Sequence, residues 1–209
     1  MIHVELQPEP APFDRLVRQP GHRFLARHVR PTKNLWRSHD YWVRVKGELY
    51  AGYNQICAYS SHWIPPDTGS RTCEHFVPKD RHPKLAYEWS NYRLVCGTLN
   101  GRKGTRGVLD PFELKDGWFV IDFPSLLVRP GRSFDLGIAR RIQETIDVLG
   151  LNDEGTCLMA RASWTRDYCC LVREAQAAVA FEFLKRRAPF LAVELQRQGL
   201  IESIVAMMG

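Results

Sequence analysis

Apolar positions change their spacing along the chain, and each change marks a different kind of element. Residues 34–54 carry Leu35, Trp36, Tyr41, Trp42, Val45, Leu49 and Tyr50. The 42, 45, 49 spacing predicts an amphipathic helix leading into the middle of the chain. Ahead of it, residues 1–33 have no such period. Pro8, Pro10 and Pro12 favour extended backbone, which predicts an arm that packs along the domain, followed by irregular structure. In the middle, residues 72–76 read as a strand, residues 78–83 as a polar turn-like segment, and residues 92–103 as a short helix. That is a ββα arrangement with His75 on a strand and Asn100 on the helix.

Beyond residue 104 the character changes again. Lys115-Asp116-Gly117 is a turn signal, and residues 118–123 alternate bulky side chains in strand fashion. Then Ser133 or Asp135 can cap a helix whose Ile138, Ile142, Ile146 and Leu149 form one apolar stripe. Helical patterning continues over residues 158–187, Pro189 interrupts it, and a last helix is expected over residues 190–205. The fold class is therefore α+β: a central ββα core with a mostly α-helical C-terminal region. The expected segments are an N-terminal arm and helix (1–54), the core (55–104), and a hairpin followed by helices (105–209), with the seam at residues 104–106.

Composition narrows this only a little. The 209 residues are 44% hydrophobic and 25% charged, with a net charge of +6, so a polyanionic partner is compatible but not demanded. The N-terminus lacks a signal-peptide core and no apolar run reaches membrane-spanning length. The expectation is a cytoplasmic protein with no membrane partner. Its six cysteines then stay reduced. Cys169 and Cys170 sit in an apolar helical pattern and read as small buried hydrophobes.

The chemistry concentrates in residues 57–103, CAYSSHWIPPDTGSRTCEHFVPKDRHPKLAYEWSNYRLVCGTLNGRK. Hydrolysis of a phosphodiester needs a metal to neutralise charge, a base to activate water, and a group to hold that base. His75 suits the base, because an imidazole titrates near working pH. Glu74 is a carboxylate for the metal and Asn100 a neutral oxygen for it. Asn91 offers an amide or a backbone carbonyl to fix the imidazole tautomer. Arg102 and Lys103 can hold phosphate oxygens. Oxygen donors of this kind favour Mg²⁺ or Mn²⁺. His75 is expected to add little to the core. His82 reads as an exposed loop residue and Asp110 as a turn former, while Tyr41, Trp42, Trp118 and Phe119 read as core.

Taken in register, Glu74-His75-Phe76, Pro78-Lys79, Tyr87-x-Trp89-x-Asn91, Leu94-x-Cys96 and Asn100-x-x-Lys103 resemble the HNH endonuclease superfamily. They most resemble its bacterial branch containing the nuclease subunit of Septu-type anti-phage systems, where an ATPase accompanies the nuclease. The resemblance implies that His75 is the general base, Glu74 and Asn100 ligate the metal, Asn91 orients the base and Lys103 contacts phosphate. It further implies DNA as substrate, with RNA left open, and a companion ATPase; self-association is also left open. Many relatives pin the ββα element with zinc held by two C-x-x-C pairs. Here only the first member of each remains, Cys57 and Cys96, so a structural zinc is not expected. Cys57, His62, Cys73 and Cys96 are the conceivable donor set; otherwise Tyr59, Trp63, Tyr87 and Trp89 stabilise the element by packing. The last motif position is Asn rather than His, which a hard metal accepts. The competing reading is a catalytically degenerate subunit that keeps the fold and docks DNA or a partner. The apolar excess at Ala177–Phe181, Phe183-Leu184 and residues 200–208 either completes the core or meets such a partner.

Overall fold

Pro8, Pro10 and Pro12 keep residues 8–12 out of helix and strand, and the first regular element begins only at Asp14. A computed structural model describes residues 1–132, 135–174 and 177–208; Ser133, one of the two candidate caps, lies outside them. Two compact units are present. One comprises residues 5–56 and 64–105, the other residues 1–4, 57–63 and 106–209.

In the first unit, the stretch read as irregular is helical. A π-turn at Asp14–Arg18 runs into α1 (Gln19–Arg27). Phe13, Val17, Gly21 and Phe24 are all buried, which is a helical period that the prolines around it obscure. Pro20 sits at the second position of α1, where the π-turn passes into the α-helix. Gly21 is there for space: a Cβ on it would lie 2.2 Å from the Tyr87 ring.

The helix expected over residues 34–54 is broken into α2 (Lys33–Ser38), a 3₁₀ turn (Tyr41–Val45) and α3 (Lys46–Gly52). Side chains end α2. The Ser38 hydroxyl donates to the Asn34 and Leu35 carbonyls, and the His39 ring also engages the Leu35 carbonyl, diverting carbonyls that a continuing helix needs.

β1 (Arg71–His75) pairs antiparallel with β2 (Tyr92–Cys96), His75 facing Tyr92 and Glu74 facing Arg93. α4 (Gly97–Lys103) follows directly. The ββα order is as expected, but residues 92–96 are strand rather than helix. Tyr92, Arg93, Leu94 and Val95 are all buried, so the segment shows no alternation by which sequence could mark it as a strand.

The second unit holds a hairpin of β3 (Phe119–Asp122) and β4 (Leu127–Pro130), in line with the strand expected there. Among the described residues the helices that follow are α5 (Leu136–Leu149), α6 (Met159–Glu174), α7 (Ala177–Arg187), α8 (Pro189–Arg197) and α9 (Ser203–Met208). α5 starts where Asp135 accepts from the Ile138 N–H at 3.0 Å, buries Ile142, Ile146 and Leu149, and ends at left-handed Gly150. The final helix is two, α8 and α9, separated at Gly199, whose φ is +68°. Cys169 is buried but Cys170 is exposed. No described helix is long and apolar enough to cross a membrane.

Candidate functional site

A strand sends alternate side chains to opposite faces, and β1 buries polar side chains on both. Thr72 and Glu74 share one face, and α4 lies against it. Asn100 donates Nδ2–H to Thr72 Oγ1 at 3.0 Å, and one turn later Lys103 Nζ lies 2.7 Å from Glu74 Oε1. The helix step of three residues thus matches the strand step of two. Thr72 is fixed in turn by donating to the Val95 carbonyl at 2.6 Å.

Glu74 and Lys103 are both buried, their side chains 4% and 1% exposed. Burial raises the Glu74 carboxyl above its ordinary range, opposed by the charges of Lys103, Lys79 and Arg93. Arg93 faces Glu74 across the hairpin. Its guanidinium donates to the Ser90 and Tyr92 carbonyls and lies 5.0 Å from the centre of the Phe76 ring.

His75 points to the other face. Its Nε2 is 2.9 Å from the Ala86 carbonyl, which also accepts from the Tyr92 hydroxyl at 2.8 Å. A carbonyl can only accept, so Nε2 carries the hydrogen and Nδ1 keeps the lone pair. Trp42 stands edge-on to the imidazole at 4.6 Å between ring centres, and Tyr92 at 5.2 Å. Only 8% of His75 is exposed. Burial lowers its pKa to about 3, with Lys79 and Lys103 pushing the same way and the Ala86 bond opposing. The expectation that His75 adds little to the core is therefore corrected, because the ring is a packed, hydrogen-bonded part of it.

The imidazole is held by Ala86, and Asn91 acts on the loop that carries Ala86. Asn91 Oδ1 accepts from the Val77 N–H at 2.8 Å, while Nδ2 donates to the Val77 and Leu85 carbonyls at 3.1 and 3.0 Å. These bonds close residues 77–85 into a fixed loop and deliver the neighbouring carbonyl to the histidine. A backbone carbonyl has no residue signature, so no sequence signal could have found it.

Two further side chains were missed as site residues. Half-exposed Lys79 places its ammonium 5.9 Å from the Trp36 ring and 5.3 Å from the Trp42 ring, and its charge acts on both Glu74 and His75. Its position beside Pro78 within the motif was the available signal. Trp42, read as core, is half-exposed and walls the imidazole. Arg102 is half-exposed on α4. Lys103, expected on phosphate, is instead buried on Glu74. His82 is exposed, and Asp110 makes an Asx turn to the Phe112 N–H at 3.0 Å.

A groove of about 1150 Å³ runs along α1 and residues 80–85, lined by Val29, Arg30, Trp36, Arg81 and Lys84 among others. None of the expected site residues lines it, so this groove and the expected site lie apart.

Among the described residues, no three His, Cys, Asp or Glu side chains gather as a metal-ligating group. Burial pushes the Cys73 thiol up from its ordinary value. A hard divalent ion is a different case, since it takes one or two protein oxygens and completes its shell with water and phosphate. Glu74 and Asn100 carry oxygens of that kind on neighbouring elements, and the Lys103 ammonium occupies Glu74 Oε1 at 2.7 Å. The residues fit a hard ion on these grounds.

No protein-family model matches the chain. Distant similarity exists to the Septu protein PtuB of Bacillus thuringiensis, 29% identical over 113 residues. That alignment takes in 52% of this chain and 41% of the relative, so the chain spans less than half the length of the protein it matches.

Proposed function

We propose that the chain is a metal-dependent endonuclease that hydrolyses DNA phosphodiester bonds, and that it serves as the nuclease effector of an anti-phage defence system beside a companion ATPase. The observation that carries this reading is the hairpin–helix unit, which presents Glu74 and Asn100 from neighbouring elements and a neutral His75 with a fixed tautomer. The distant similarity to a Septu protein supports the defence role.

In this mechanism Nδ1 of His75 takes the proton from the attacking water, while Ala86 holds the ring against rotation. Glu74 and Asn100 would hold a Mg²⁺ or Mn²⁺ ion, which would supply charge neutralisation at the scissile phosphate. Lys79 and Arg102 hold the phosphate diester from the half-exposed rim.

A second reading has its own support. With His75 8% exposed behind Trp42 and Glu74 already neutralised by Lys103, the same unit suits a non-catalytic subunit that binds DNA or a partner.

Supercoiled plasmid with Mg²⁺ or Mn²⁺, an EDTA control and His75→Gln separates the two. Nicking that needs both metal and His75 is the expected result. Salt-sensitive DNA binding without strand scission selects the second reading. Parallel incubation with RNA tests the substrate class.

A further inference from the structure

Lys103 is buried against the carboxylate that the proposed mechanism assigns to the metal. Its ammonium is 2.7 Å from Glu74 Oε1 with 1% of the side chain exposed. It also lies 3.5 Å from the Gly104 carbonyl and 5.6 Å from the centre of the Phe76 ring. Burying a lysine on a carboxylate is costly in desolvation, and an apolar pair of similar volume often does as well or better. Stability alone is thus a weak reason for the pair, and its position beside Asn100 on α4 supplies another.

Resting on the metal-dependent reading above, we infer that Lys103 is a built-in counter-cation for Glu74: its ammonium holds the carboxylate in the metal-free protein and leaves it when a divalent ion binds. Two cations on one buried carboxylate repel, and Arg93 and Lys79 already add positive charge around it. The lysine is the mobile member, having a flexible four-carbon stem and a single point of charge. Arg93 by contrast is tied to two carbonyls. Once released, Lys103 sits at the edge of the site with its charge free for a phosphate oxygen. One residue thereby keeps the metal-free site closed and rewards metal binding with a phosphate contact.

Metal affinity in this scheme is the intrinsic affinity of the open site reduced by the fraction of molecules with Lys103 displaced. Removing the ammonium removes that reduction. Mn²⁺ binding, followed by loss of the free-ion electron paramagnetic resonance signal in the absence of DNA, is compared for wild type, Lys103→Met and Glu74→Gln. Tightening in Lys103→Met by about tenfold or more, as an open fraction below about a tenth requires, together with loss of binding in Glu74→Gln, is expected. Unchanged or weaker binding in folded Lys103→Met overturns the inference and leaves the metal reading standing. Absence of Mn²⁺ binding in wild type and Lys103→Met alike overturns both.

Lys103→Met leaves Glu74 unpaired and can unfold the protein, so a wild-type measurement is paired with it. Acetic anhydride labelling read by mass spectrometry should spare Lys103 without metal and modify it with saturating Mn²⁺. Protection that persists in the Mn²⁺-saturated protein overturns the displacement.

Discussion

His75 donates its Nε2–H to the Ala86 carbonyl at 2.9 Å, and this one bond decides which nitrogen can act on water. It leaves the lone pair on Nδ1, and it makes the ring part of the packing beneath Trp42 and beside Tyr92. Truncation to alanine therefore confounds chemistry with stability. His75→Ala loses the bond and opens a cavity, an expected cost of about 2–4 kcal/mol. His75→Gln keeps an N–H donor for Ala86 and should cost about half of that or less, yet abolish cleavage by about 10²-fold or more. Urea unfolding and plasmid nicking on both variants check this; equal loss of activity and stability across the pair would argue that His75 serves only the fold.

Burial of two histidines shapes the acid response. His62 and His75 are 9% and 8% exposed, and burial lowers each pKa from 6.5 to about 3. Between these values the unfolded chain binds a proton at each site that the folded chain does not. The stability tied to neutral imidazole is thus complete above pH 6.5 and lost as pH falls toward 3. Each group contributes a slope of about 1.4 kcal/mol per pH unit within that window. Urea unfolding at pH 7, 6 and 5 should show stability falling with pH, and His75→Gln should remove one proton's share of the slope. An unchanged slope in that variant would mean that His75 is not held neutral.

Asn91 matters through the loop. Its amide group makes three hydrogen bonds, two to Val77 and one to Leu85, in a residue only 5% exposed. Asn91→Ala strands buried backbone groups, with an expected cost of about 2–4 kcal/mol. Amide exchange at Val77 should accelerate, and cleavage should fall because the Ala86 carbonyl loses its support. Asn91→Asp, which still accepts from the Val77 N–H but sets a buried carboxylate oxygen against the two carbonyls, should cost at least as much.

How far sequence reaches differs from element to element. α5 was legible because its cap and apolar stripe lie within one short stretch: Asp135, then Ile142, Ile146 and Leu149. α1 was hidden by Pro20 and Gly21, residues that weigh against helix locally and are accommodated where the π-turn passes into the α-helix and against the Tyr87 ring. β2 was hidden because burial on both faces erases alternation. At the site, the residue types of Glu74, His75, Asn91 and Asn100 could be read from the motif, whereas their partners could not. The Glu74–Lys103 pair exists only once a strand step of two meets a helix step of three, and the Ala86 carbonyl carries no side-chain signal at all.

Lys79 supplies the last test, because it separates phosphate contact from metal binding. It is half-exposed, rests against the Trp36 and Trp42 rings, and is the cation nearest solvent among those acting on Glu74 and His75. Removing an exposed cation from aromatic rings costs only about 0.5–1 kcal/mol, so Lys79→Met should stay folded. If Lys79 holds a phosphate, the slope of log affinity against log salt should flatten by about one contact, roughly 0.9 for duplex DNA. Fluorescence anisotropy of a labelled duplex, measured in the non-cleaving His75→Gln background with EDTA present, reads this directly. A weaker affinity with an unchanged slope would place Lys79 in the packing around the imidazole instead, and Arg102 would then be the next residue to substitute.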